Sequence, residues 1–256
     1  MRLLDALDGA VRSITEGKDV AVAFSGGLDS GVVAVLASRY ARAIRLYTVG
    51  TEDSYDVRAA REMAAGLGLE WEHIPLDEDS LVEGLRRTVS VTGTRDPVTL
   101  SFEVPLMMIL PRIPEDTVIG GQGADEMLCG YSKYLGLSET ELRAAVERDL
   151  VTLHEVTLPH ERMMAESCGK TVLYPFLSEG VREAVATMGY GDLRPQGDDR
   201  KRPLREAALQ LGHPEIASKP KKAAQYGSGA MNMMKRIAKG NGMSLADYIR
   251  SLEGRP

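Results

Sequence analysis

The sequence predicts an α/β fold: a doubly wound parallel sheet in the first half of the chain and a C-terminal helical lobe in the second. Three observations carry this. Short apolar runs alternate with helical patterns in a βαβαβ order from residue 3 onward, the order that parallel sheets with covered faces require. A loop of small residues, Ser25-Gly26-Gly27-Leu28-Asp29-Ser30, joins the first run to the helix after it. From residue 131 on, no strand pattern is convincing and helical spacing takes over. The reading is one domain over 1–256, with 1–130 as the sheet core and 131–256 as the mainly helical lobe.

Leu3, Leu4, Leu7, Ala10, Val11 and Ile14 fall on one helical face, so an amphipathic helix opens the chain. Val20 to Phe24 is a continuous apolar run, the signature of a strand buried on both faces. Gly31 to Ala37 reads as a buried helix, and Ile44 to Val49 as the second strand. A helix spans Ser54 to Leu67, with Ser54 as N-cap and Gly68 as the stop. Glu70 to Ile74 is the third strand. A helix over 79–90, a loop from Thr92 to Pro97, an apolar helix over 98–110 and a fourth strand at Thr117 to Gly120 complete the core. Helices are expected at 138–150, 179–188, 202–211, 230–239 and 244–252.

Ligands of such sheets bind beyond the C-terminal strand ends. The loop from Ser25 to Ser30 lies at one, and its free N–H groups and helix N-terminus suit an anion. Gly26 and Gly27 allow close backbone approach, and Ser25 and Ser30 add hydroxyl donors. There is no G-x-x-x-x-G-K-[ST] pattern, so this is not the usual P-loop. Asp29 puts a carboxylate into a phosphate-sized nest, which calls for a hard cation, Mg²⁺, between them. Val49, at the end of the second strand, is placed to meet adenine through its backbone. After the fourth strand comes Gly120-Gly121-Gln122-Gly123-Ala124-Asp125-Glu126, again glycines and an acid pair entering a helix. Asp29 and Asp125 would share one Mg²⁺ at the sheet rim, although Asp125-Glu126 alone is also what any helix N-terminus favours.

Composition bounds the rest. With 43% hydrophobic and 27% charged residues the chain reads as an ordinary soluble protein, and no apolar run approaches a membrane span. Acids stand where a signal peptide would be apolar, so the expected compartment is the cytoplasm, with no membrane partner. Cys129 and Cys168 form no metal-type cluster. The net charge of −6 hides a basic stretch: residues 194–240 carry eleven Lys and Arg against four Asp and Glu. Such a stretch would hold RNA, wall a polyphosphate site, or simply be a solvated face.

S-G-G-x-D-S resembles the pyrophosphate (PP) loop of the ATP pyrophosphatase superfamily, whose adenine nucleotide α-hydrolase-like members cleave ATP between the α- and β-phosphates. With the second motif, the chain resembles the synthetase domain of the asparagine synthetase family, β-lactam synthetase included, which reads S-G-G-[LV]-D-S and roughly S-G-E-G-[SA]-D-E-x-x-G-G-Y. Leu4-Asp5-Ala6-Leu7, Pro175-Phe176-Leu177, Lys201-Arg202-Pro203-Leu204-Arg205-Glu206, Pro214-Glu215-Ile216 and Lys219-Pro220-Lys221 extend the likeness over roughly 3–230. The resemblance implies an ATP- and Mg²⁺-dependent ligase that adenylates a carboxylate, releases pyrophosphate, and forms an amide with ammonia or an amine. Lys221 matches the family's catalytic lysine, Lys201 a second basic position that would contact phosphates, and Gly120 and Gly121 positions beside the nucleotide.

Three departures qualify it. The family's full-length enzymes carry an N-terminal glutaminase with a cysteine after the initiator Met. Here Arg2 follows Met1, so nitrogen is expected from free ammonia, a separate glutaminase subunit or an amine substrate; a homodimer is the other protein partner allowed for. The family's Glu, a candidate base for the amine, is Gln122, which takes up no proton. Thr171, Leu173 and Ser178 replace residues that shape the family's lobe, which puts aspartate in doubt as substrate. Open at this point are an NAD synthetase-like enzyme, a tRNA-modifying enzyme using residues 194–240, sulfur transfer through Cys129, and a nucleotide-binding partner subunit without turnover. No nucleic-acid partner is expected on the leading reading.

Overall fold

A computed structural model describes residues 2–197, 199–220 and 227–252. Along the chain run α1 (Leu3–Thr15), β1 (Asp19–Ala23), α2 (Leu28–Ala37), β2 (Ala43–Gly50), α3 (Tyr55–Leu67), β3 (Glu70–Pro75), α4 (Glu78–Thr92), α5 (Pro97–Ile109) and β4 (Thr117–Ile119). There follow α6 (Ala124–Met127), α7 (Glu139–Thr152), a π-helical turn (Leu153–Thr157), α8 (Leu158–Ser167), β5 (Thr171–Leu173), α9 (Glu179–Ala186), α10 (Tyr190–Leu193), α11 (Arg202–Gln210), α12 (Pro214–Ala217), α13 (Ala230–Gly240) and α14 (Leu245–Ser251). The strands form one parallel sheet in the order β3-β2-β1-β4-β5. The order reverses between β1 and β4, and that switch point is where such sheets open a crevice.

Local chemistry explains the boundaries. Ser54 accepts a hydrogen bond from the Val57 N–H, and Gly68 ends α3 with φ of 66°, a left-handed turn that glycine adopts freely. Asp77 and Ser80 close a capping box at the start of α4. Asp96 caps α5 through the Thr99 N–H, with Pro97 in the first turn.

Alternation along the strands splits the core in two. Val20, Val22, Leu46 and Ile119 face a cluster with α1, α2, α3, α9, α11 and α12. Ala21, Tyr47, Val49 and Val118 face one with α4, α5, α8, α13 and α14. Helices from the second half of the chain therefore cover both faces of the sheet.

The expectation of no strand beyond residue 131 is corrected by β5, which pairs with β4 from Thr117↔Thr171 to Ile119↔Leu173. Three residues at a sheet edge are too short to show alternation; tertiary pairing makes the strand. The helix α8 also lacked a sequence signal, because its apolar residues follow no clear face. No described helix is long and apolar enough to cross a membrane.

Candidate active site

The loop after β1 bends as its sequence demands. Gly26 has φ of 67°, and a Cβ there would run into the Ala59–Ala60 backbone of α3, so only glycine fits. Ser25 and Ser30 meet through their hydroxyls at 3.3 Å, and the Ser25 N–H donates to the Ser30 Oγ at 3.3 Å. The loop after β4 lies beside it: a Cβ on Gly121 would sit 3.5 Å from the Asp29 Cβ. Adjacent parallel strands thus bring the two motifs together, and both aspartates with them.

They converge on one cation. The Lys201 Nζ lies 2.6 Å from the Asp29 Oδ2 and 2.8 Å from the Asp125 Oδ1. Lys201 is 1% exposed and stands at the head of α11 with φ of 57°. Burial pulls its pKa down, but the Asp125 and Asp29 carboxylates more than offset that, and the net shift is upward. Gly130 makes the arrangement possible, because a Cβ there would collide with both the Asp125 carboxylate and the Lys201 stem. Arg200 donates to the Gly130 carbonyl at 3.3 Å. Arg205 donates to the carbonyls of Arg200, at 2.9 Å, Lys219, at 3.0 Å, and Ala217, tying this basic segment to itself.

These groups border a cleft of about 260 Å³ at the strand ends. Ser25, Gly27, Leu28, Asp29, Ser30, Val49, Gly120, Gly121, Gln122, Asp125 and Lys201 all line it. Lys221 lies outside the described residues; Lys219, Pro220 and Ser228 line the cleft. Four cations of the basic stretch, Arg200, Lys201, Arg205 and Lys219, are therefore in the wall of the cleft.

The opposite wall comes from α5, α8 and β5: Phe102, Pro105, Leu106, Ile109, Val172 and Glu161. Gln122 does not stand alone there. Its Nε2 donates to the Glu161 Oε1 at 2.6 Å, and the Tyr174 hydroxyl donates to the other carboxylate oxygen. Tyr174 packs its ring on Gly120. Glu161 is 3% exposed, and burial pushes its pKa up to about 7 against the pull of those two hydrogen bonds. Behind it Glu103, fully buried, is pushed up to about 8 by burial and by the Glu161 charge. The Glu103 Oε1 lies 2.9 Å from the His160 Nδ1, while its Oε2 has no hydrogen-bond partner, which suits a protonated acid. Sequence reasoning missed Glu161, Tyr174 and Arg200, none of which belongs to a motif that links it to its partner; Gly130 falls within the second motif, but its role beside Asp125 and Lys201 was not read.

Mg²⁺ fits the donor set. Two carboxylates from separate loops already hold one cation, and Mg²⁺ is ordinarily bound by one or two carboxylates plus phosphate oxygens. Among the described residues no group of three or more His, Cys, Asp or Glu forms a cage of its own. Cys129 is buried, and its thiol is pushed up to about 11, away from a reactive thiolate. Of the positions that depart from the family pattern, Thr171 and Leu173 are in β5, and Ser178 caps α9 through the Val181 N–H.

The family model described as asparagine synthase matches residues 2–144. The chain is 31% identical to a putative glutamine-hydrolysing asparagine synthetase of Methanocaldococcus jannaschii, over 93% of this chain and 51% of that one. It is 26% identical to the carboxyethyl-arginine β-lactam synthase of Streptomyces clavuligerus, over 93% of this chain and 46% of that one. With asparagine synthetase B of Escherichia coli it shares 24% identity, over 69% and 35% respectively. The chain spans about half the length of the curated relatives it matches.

Proposed function

The chain belongs to the asparagine synthase family, and from that premise we propose that it is an ATP-dependent amide ligase working through an acyl-adenylate. The observation that carries this is the meeting of Asp29 and Asp125, from two strand-end loops, on one cation inside the cleft.

ATP would lie with its adenine near Val49 and its phosphates in the Ser25–Ser30 loop, facing Arg200, Lys201, Arg205 and Lys219. An oxygen of the substrate carboxylate attacks the α-phosphorus, the bond to the β-phosphate oxygen breaks, and pyrophosphate leaves. Holding both reactants in line supplies much of the rate. Mg²⁺ held by Asp29 and Asp125 with phosphate oxygens would offset the charge that builds on the leaving group. The basic wall does the same work as fixed charge, and the family likeness assigns Lys221 to that task as well.

In the second half-reaction an amine nitrogen attacks the acyl carbon, gives up a proton, and AMP departs. Gln122 takes no proton, but it orients Glu161, whose pKa of about 7 matches a base working near neutral pH. Glu161 is the proton acceptor in this scheme; Gln122 and Tyr174 are its positioning residues. The nitrogen comes as free ammonia, from a separate glutaminase subunit, or as the amine of a substrate.

Phosphorus NMR of the protein with ATP, Mg²⁺ and a panel of acids and amines tests the reading. AMP and pyrophosphate should appear together with an amide. ADP and inorganic phosphate as the nucleotide products would overturn it.

A further inference from the structure

Resting on that reading, we infer that Lys201 is the nucleotide-free occupant of the divalent-ion position, so that the metal enters only together with the nucleotide.

The argument starts from space. The Lys201 ammonium touches both carboxylates that would hold the ion, at 2.6 and 2.8 Å. Mg²⁺ sits about 2.1 Å from its oxygen ligands. An ion seated between the same two oxygens, on the side where the ammonium stands, would overlap Nζ. Two cations at that separation repel strongly in a site shielded from water, and Lys201 is 1% exposed. Ion and ammonium exclude one another at this spot.

Charge gives the direction of the exchange. With the ammonium in place, the two carboxylates already have a positive charge between them, which leaves a free divalent ion little to gain for the dehydration it must undergo. A triphosphate changes the balance. It offers the ammonium a new set of anionic oxygens, and it offers the ion the phosphate ligands that two carboxylates do not provide. The stem is built for such a move. Gly130 has no side chain to pin the stem from that side, since any Cβ there would overlap the Lys201 Cε and the Asp125 carboxylate. The Arg205 guanidinium holds the carbonyl of Arg200 next door, so the backbone stays fixed while the tip pivots. The left-handed backbone at Lys201, φ of 57°, aims the side chain back under the two loops rather than along α11.

Manganese, read by electron paramagnetic resonance, reports occupancy without turnover. Wild-type protein alone should leave Mn²⁺ free at concentrations stoichiometric with the chain. Adding α,β-methylene-ATP should fix one Mn²⁺ per chain, at least tenfold more tightly than the analogue binds it alone. Lys201→Met, checked for folding by circular dichroism, should bind Mn²⁺ without nucleotide at least tenfold more tightly than wild type. The inference is overturned if wild type alone binds one Mn²⁺ that Asp125→Asn abolishes, whether or not the lysine variant folds. It is equally overturned if folded Lys201→Met gains no affinity. In both cases the ligase reading survives as long as the analogue binds. If the analogue fails to bind with Mn²⁺ present, both go.

Discussion

The two walls of the cleft are made of different chemistry and come from different faces of the sheet. One carries Asp29, Asp125, Lys201, Arg200, Arg205 and Lys219, from the strand-end loops and the segment around α11 and α12. The other carries Phe102, Pro105, Leu106, Ile109, Val172 and a single charge, Glu161, from α5, α8 and β5. The first is dense in fixed charge and suits a polyphosphate. The second is apolar with one titratable acid, and suits the tail of a carboxylate substrate and the proton of an amine. On the proposed chemistry the walls divide the two half-reactions between them, and variants should separate accordingly.

The largest effect should come from the charged wall. Asp125→Asn should lower pyrophosphate release about 1000-fold, measured by pyrophosphate exchange into ATP, because a ligand of the ion and a partner of Lys201 are lost together. Full activity would remove the first wall from the chemistry. Next comes Glu161→Gln. Amide formation from the adenylate should fall about 100-fold, with pyrophosphate exchange changed less than about threefold. In wild type the amide step should rise with pH through about 7, as the Glu161 carboxyl ionises, and the variant should lose that limb. A parallel drop in both half-reactions would break the division.

A smaller effect reads the acid behind the wall. The Glu103 pKa is raised when folded, to about 8, so its folded form holds a proton that the unfolded chain has released. The stability tied to that proton is fully present below the ordinary glutamate range and is lost as pH rises through about 8. Glu103→Gln should therefore be relatively more stable than wild type at pH 9 than at pH 5, by chemical denaturation. The smallest change is Phe102→Ala, which should raise KM for the acid about tenfold with kcat nearly unchanged, the mark of binding shared by ground and transition states.

The same contrast decides what could be read from residues alone. The loops of the charged wall were legible because their parts are local: glycines, serines and an aspartate packed between a strand and a helix at fixed offsets. Ser54 and Gly68 were legible for the same reason, since a cap acts within one turn. The apolar wall was not. Glu161 meets Gln122 across 39 positions, and it sits on a helix with no clear apolar face. β5 exists only because β4 offers it an edge. Lys201 was singled out as a phosphate contact, and no spacing rule tells that its ammonium lies on the two aspartates.

The sheet order has a consequence for how the chain tolerates change. β1 and β4 are neighbours, although β2, β3 and four helices separate them in the chain. Their lateral hydrogen bonds, about 4.8 Å from strand to strand, hold the distance between the aspartate loops. The excursion between them does not set it. A short graft in the loop between α4 and α5, where Gly93 and Arg95 are exposed, would lengthen that excursion without altering how far apart the two carboxylates stand, so new segments could be spliced there while the cleft keeps its dimensions.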